Sequence, residues 1–190
     1  MSRLADLAGE LAHTRTIEMT TCRVDDHRML CTGRFRDVRL LPSVGVNGRR
    51  FDAGDLHDLK IHVIVRTRDL VIEDIEVEID TVPLRDCRGL AHSLDAVKGL
   101  SIARGFTGAV KRLAGGTGGC THLVHLLTTM GPAILQGLWA IQDSGLGDPC
   151  DDGASRKAVA AQFLGDSCYA WRKDGEAYGE LVDPGITKSS

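Results

Sequence analysis

The order of two hydrophobic periods constrains this chain more than any other feature. Leu59, Ile61, Val63 and Val65 alternate with Lys60, His62 and Ile64, and Ile72, Ile75, Val77 and Ile79 stand against Glu73, Asp74, Glu76, Glu78 and Asp80. A period of two puts the two sets on opposite faces of a strand, so residues 59–65 and 70–80 read as half-buried antiparallel strands turned at 66–69. An earlier strand, turn and strand is expected over 14–41, with Asp25, Asp26 and His27 supplying the turn. Residues 44–54 read as a loop or hairpin tip around Asn47-Gly48.

After Pro83 the period lengthens. Leu90, Leu94 and Val97 recur at helical spacing from just after Cys87 to Gly99, and Phe106, Ala109, Val110 and Leu113 do the same before the glycine-rich turn at 115–119. From Thr121 to Ile141 the chain is apolar nearly all round, which describes a central buried helix that Gly131-Pro132 bends or splits. A last helix is expected over 156–169, and a short strand or hairpin over 171–181. Strands first and helices afterwards imply an α+β fold, helices packed on one face of an antiparallel sheet. With 190 residues the chain is expected to be a single domain over 1–190. Residues 1–13, with a short amphipathic helix over Leu4–Leu11, would be loosely held. A linker over 144–155 and a tail over 182–190 complete that division.

Composition narrows the partners. A net charge of −3 and 4% aromatic residues argue against a nucleic-acid surface. Arginines gather between Arg34 and Arg50, which reads first as a solvated strand face and second as a place for an anionic substrate. No apolar run approaches membrane-spanning length, and Arg3, Asp6 and Glu10 interrupt the first residues, so neither a membrane partner nor a secretion signal is expected. Cys22, Cys31, Cys87, Cys120, Cys150 and Cys168 form no C-x-x-C pair, which points to reduced thiols in a cytoplasmic setting.

Chemistry concentrates at Gly115-Gly-Thr-Gly-Gly-Cys-Thr-His122, a glycine-rich turn opening into the apolar helix. Cys120 there would sit at the positive end of the helix dipole, which favours a thiolate. No Gly-Lys-Ser/Thr follows the glycines, so a nucleotide-phosphate loop is disfavoured, and a tight turn followed by a small buried thiol is the plain alternative. Three element junctions then hold metal-capable groups: His57-Asp58 before the first strand of the clear pair, Cys87 after the second, and Cys120 with His122 at the central helix. Together His57, Cys87, Cys120 and His122 form a mixed nitrogen and sulfur set suited to zinc or iron. Asp58 would be a further ligand, a partner orienting an imidazole, or the catalytic base on bound water. Against that set stand a surface role for His57 and a core role for Cys87.

Several stretches taken in order resemble a bacterial family known as an uncharacterised domain: His13-Thr14-Arg15, Leu56-His57-Asp58, Pro83 to Cys87, Gly99 to Gly105, Gly119 to Leu123, and Cys168-Tyr169-Ala170. That resemblance implies no reaction, though members are typically neighbours of catabolic functions. Residues 57–141 are also similar to the NifU-like iron-sulfur scaffold fold, of NifU/SufE-like architecture, in the order of ligand, strands, lone cysteine and paired ligands opening a long helix. Here a histidine, His57, takes the place of that family's first cysteine, and Cys120-Thr121-His122 the place of its adjacent pair. The expectation that follows is a metal-dependent lyase or hydrolase for a small-molecule substrate, with Zn or Fe as cofactor and an oligomer possible. An iron-sulfur or metal carrier is the second expectation, and a metal-free protein with a structural or nucleophilic Cys120 the third.

Overall fold

A computed structural model describes residues 2–46, 48–144 and 153–183. The chain divides into two compact units, residues 1–141 and 142–190. The first has the expected α+β architecture. Strands β1 (His13–Arg23), β2 (Arg28–Arg39), β5 (Gly54–Arg66) and β6 (Ile72–Thr81) form a four-stranded sheet in the order β1-β2-β5-β6, with every neighbouring pair antiparallel. Between β2 and β5 a small ribbon projects, made of β3 (Ser43–Val44) and β4 (Arg50–Phe51). Asn47, expected at its tip, lies outside the described residues. The β1–β2 turn closes as its composition predicts: Asp25 accepts the His27 backbone N–H at 2.9 Å, and its other oxygen accepts the Arg28 guanidinium at 2.8 Å.

Alternation decides which face is covered. Met29, Cys31, Phe35 and Asp37 of β2 and His57, Leu59, Ile61, Val63 and Val65 of β5 are all buried on one face. Helix α2 (Thr121–Asp143) lies over it and buries Leu123, Leu126, Leu127, Met130, Ile134 and Leu138. Two glycines permit this approach. A Cβ on Gly33 of β2 would stand 2.6 Å from the Met130 sulfur, and one on Gly137 of α2 would collide with the Thr21 side chain of β1. With His122 beside Phe35, Met130 over Gly33 and Gly137 against Thr21, the helix runs antiparallel to β2, its first turn over the end of the sheet where β2 finishes. Helix α1 (Phe106–Ala114) packs Phe106 near Gly131.

Several local expectations are corrected. His57 and Asp58 do not end a loop but lie inside β5, because pairing with β2 extends that strand back to Gly54. Residues 87–99 form two 3-10 turns, Arg85–Leu90 and Asp95–Val97, instead of a helix. Ile72 donates to the Leu100 carbonyl and accepts from Gly99, which ties the segment back to β6 before an α-helix can propagate. The amphipathic helix expected over Leu4–Leu11 shrinks to a 3-10 turn, Ala5–Leu7, with Leu4, Leu7 and Leu11 exposed. Helix α2 continues through Pro132 as one element. By length and composition it is also long and apolar enough to cross a membrane, against the expectation that no run approaches that length.

In the second unit, α3 (Gly153–Leu164) and α4 (Glu176–Val182) are joined by a turn in which Asp166 accepts the Lys173 backbone N–H. Residues 176–182 are helical where a short strand or hairpin was expected over 171–181, since Glu176, Ala177 and Glu180 favour a helix over the single β-branched Val182. Of the linker expected over 144–155, residues 145–152 lie outside the described residues and 153–155 open α3; of the tail expected over 182–190, Val182 ends α4 and residues 184–190 lie outside the described residues. Among the described cysteines, Cys22, Cys31, Cys87, Cys120 and Cys168 are all free thiols.

Candidate metal centre

Three neighbouring strands bring a polar row into the covered face. The register sets Arg15 of β1 opposite Asp37 of β2, and Asp37 opposite His57 of β5. The next row toward the middle of the sheet is Ile17, Phe35 and Leu59, so the polar groups border directly on the apolar core. A β-bulge at Leu56 fixes this arrangement: Val38 pairs with Asp55 and Asp37 with His57, leaving Leu56 as the extra residue.

Asp37 is the hub and is only 1% exposed. Arg15 grips both of its oxygens, Nε to Oδ1 at 2.7 Å and Nη2 to Oδ2 at 2.9 Å. His57 Nδ1 lies 3.1 Å from Oδ2, and His13 Nε2 lies 3.3 Å from Oδ1. Burial pushes the Asp37 carboxyl up, but the Arg15 hydrogen bonds and charge, joined by His57, outweigh it and hold the group below its ordinary range. The His57 imidazole moves the same way for the opposite reason. Burial pushes it down more than the Asp37 charge pulls it up, so the neutral ring is favoured. Its Nδ1–H donates to Asp37, which fixes the tautomer and leaves Nε2 with its lone pair and no hydrogen-bond partner among the described residues.

Helix α2 supplies the other side. The His122 ring lies 4.0 Å from the His57 ring, centroid to centroid, and 5.2 Å from Phe35. Cys120 caps the helix, its carbonyl accepting the Val124 N–H at 3.0 Å. Its sulfur stands 3.8 Å from His122 Nδ1. Burial raises this thiol, but His122 and the backbone N–H groups of Leu123 and His122 more than compensate, leaving it below its ordinary range. Among the described residues Asp37, His57 and His122 each offer a ligand atom, all within 4.8 Å of one another.

Of the expected ligand set, His57 and His122 therefore meet, and Cys120 adjoins His122. Cys87 lies in the turn Arg85–Leu90 and is no member of the three-residue group. Asp58 points to the other face of β5, where Arg34 binds both of its oxygens at 2.8 and 2.6 Å. That guanidinium holds its carboxyl below the ordinary range, and both oxygens are engaged away from the histidines. The carboxylate beside His57 is Asp37, together with Arg15 and His13, three residues that the sequence reading did not single out for chemistry. Their signal was positional. On β2 the odd-numbered residues Met29, Cys31, Gly33 and Phe35 face the core, so Asp37 continues a buried face with a charge, which demands a partner.

The donor set suits zinc or ferrous iron: two imidazoles, a thiol poised to ionise, and a carboxylate. Arg15 and His57 already occupy the Asp37 oxygens, so this carboxylate fits the part of an orienting partner behind a ligating histidine better than that of a ligand. No curated protein and no solved structure matches the chain significantly. Residues 13–136, which contain His13, Arg15, Asp37, His57, Cys120 and His122, match the model of DUF2889, a family of proteins of unknown function, and the chain belongs to that family.

Proposed function

We propose that the protein is a metal-dependent enzyme for a small organic substrate, a lyase or hydrolase, with zinc or iron held by His57, His122 and Cys120. The observation that carries this reading is the 3.1 Å contact between His57 Nδ1 and a buried carboxylate, which presents Nε2 beside a second imidazole only 4.0 Å away, ring to ring. Carboxylate, histidine and metal in that order is a recurrent way to fix a ligand's tautomer and raise its basicity. When bound, the metal would polarise a carbonyl or lower the pKa of a water molecule. The chain's own residues hold the site in shape: Arg15 keeps Asp37 ionised, Asp37 keeps His57 oriented, and the first turn of α2 presents Cys120 and His122. His13, half exposed against the same carboxylate, is placed to pass a proton to solvent. Free thiols at all five described cysteines suit a reducing, cytoplasmic setting.

Equilibrium dialysis against zinc followed by elemental analysis tests the reading. Wild-type protein should take up one equivalent, His57→Ala and His122→Ala should lose it, and Asp37→Asn should bind about tenfold or more weakly, as expected for an orienting partner. Cys87→Ser should bind as wild type. Absence of saturable uptake by wild-type protein would sink the metal centre and return Cys120 to a capping thiol.

A carrier of iron or an iron-sulfur cluster is the second reading, favoured by Cys120, a half-buried thiol held below its ordinary range at the start of a helix. Anaerobic isolation and absorption spectra separate the two, since a cluster gives sulfur-to-iron charge-transfer bands that a mononuclear zinc site lacks.

A further inference from the structure

The arginines between Arg34 and Arg50 divide into groups that the structure tells apart. On the outer face Arg34 is bound to Asp58, and Arg36 to Asp55 at 2.9 and 3.1 Å. On the inner face Arg39 stands alone. The register pairs it with His13, one row beyond Arg15 and Asp37, which at the rise of a β-strand is about 7 Å along β2 from Asp37. Its guanidinium lies 4.7 Å from the centre of the Phe51 ring, on the ribbon that projects from this end of the sheet, and Arg49 lies 5.3 Å from the same ring. Arg39 is half-buried, and among the described residues it has no carboxylate partner.

A half-buried guanidinium stacked on an aromatic ring is positioned at little further cost in side-chain entropy, yet among the described residues no side chain accepts from its donors. We infer that Arg39 is the anion-recognition residue of the site: it binds the oxyanion of a small carboxylate- or phosphate-bearing substrate, whose reacting group then lies toward His57 and His122. The inference rests on the metal-centre reading for the direction in which the substrate lies, and on Arg39 itself for the charge. Phe51 supplies the platform that holds the guanidinium flat, and His13 borders the path between the two points. The outer arginines do not compete, since Asp58 and Asp55 satisfy them. Carboxylate and phosphate share this chemistry, but the fork of a guanidinium matches a planar carboxylate in two parallel hydrogen bonds, whereas phosphate offers a tetrahedral set.

Calorimetric titration with malonate and, separately, inorganic phosphate tests the inference on the full chain with and without one equivalent of zinc. Wild-type protein should bind at least one of these probes. Arg39→Gln should weaken that binding about tenfold or more, as expected for lost charge-assisted hydrogen bonds, while its zinc stoichiometry stays that of wild type. Arg36→Gln, which removes a guanidinium already paired, should bind the probe as wild type does. Loss in Arg39→Gln with malonate alone identifies a carboxylate substrate, and loss with phosphate alone a phosphorylated one. If wild-type protein takes up no zinc but Arg39→Gln still loses the anion, the metal centre fails and the anion site stands. Equal affinity of wild type and Arg39→Gln for both probes, or no binding of either probe by wild type, overturns it.

Discussion

Two arginine–aspartate pairs, each joining β2 to a neighbouring strand at nearly the same level of the sheet, differ in the face on which they lie. Arg34 and Asp58 make a bidentate pair on the outer face; Arg15 and Asp37 make one on the inner face. Both carboxylates are nearly out of reach of solvent, at 6% and 1% exposed. The difference lies in what else arrives. Arg36 and Lys60 lie near Asp58 as further positive charge, and a carboxylate so surrounded has no labile neighbour to act through. Asp37 receives two histidines as well as its arginine, and one of these, His57, faces a third histidine from α2. Among the described residues, metal-capable groups therefore converge on the covered face, where the helix adds His122 to the strand residues Asp37 and His57.

The two faces should differ most at Phe35, which is fully buried beneath Arg15 and His122. Phe35→Ala should cost about 3–5 kcal/mol in denaturant melts, whereas Arg36→Ala, one residue along and facing out, should change little. Equal losses would mean that the two faces do not differ as drawn. A smaller effect is expected at the arginines. Arg15→Ala leaves a buried carboxylate short of its main partner and should cost about 1–3 kcal/mol, with Arg34→Ala costing less because Arg36 and Lys60 remain near Asp58.

Acid titration sharpens the same contrast. Asp58 is held below its ordinary range by Arg34, so its contribution is fully present above the unfolded carboxylate value of about 4 and is lost as pH falls through the lower folded value. Arg34→Gln should therefore lower stability most at neutral pH and approach the wild type as pH falls below about 4, so that the acid limb of the stability curve flattens. A limb unchanged by that substitution would mean that the ion pair does not form in solution. The smallest expected effect is a rate. Cys31 faces the core, and burial pushes its thiol up to about 11, so it should alkylate far more slowly in native protein than exposed Cys22 or Cys168, as mass spectrometry of brief iodoacetamide pulses would show.

The sheet and the central helix were legible because their patterns are long: Leu59 to Asp80 alternates about its turn, and Thr121 to Ile141 is apolar nearly all round. His57, Cys120 and His122 were legible as a constellation because each lies beside a recognisable element start or strand. Asp37 was not. Its significance depends on the register of β1 on β2 and of β2 on β5, and residues 22 and 20 positions away in sequence, Arg15 and His57, become its neighbours only through pairing. Asp58 misled for a related reason. It adjoins His57 in sequence, but successive strand residues face opposite ways, so adjacency along the chain guaranteed separation in space. The helix expected at residues 87–99 failed because spacing alone cannot register the backbone tie between Gly99 and Ile72.

The extra residue in β5 has a consequence for how this end of the molecule tolerates change. With Leu56 standing outside the pairing, residues 54 and 55 run out of phase with the rest of the strand, and the strand beyond His57 takes its bearing from β6 and the core. The bulge acts as a slip joint. A change in the length of the β3–β4 ribbon should therefore shift Phe51, and with it the ring against Arg39, while the row of Arg15, Asp37 and His57, set by strand pairing, keeps its alignment.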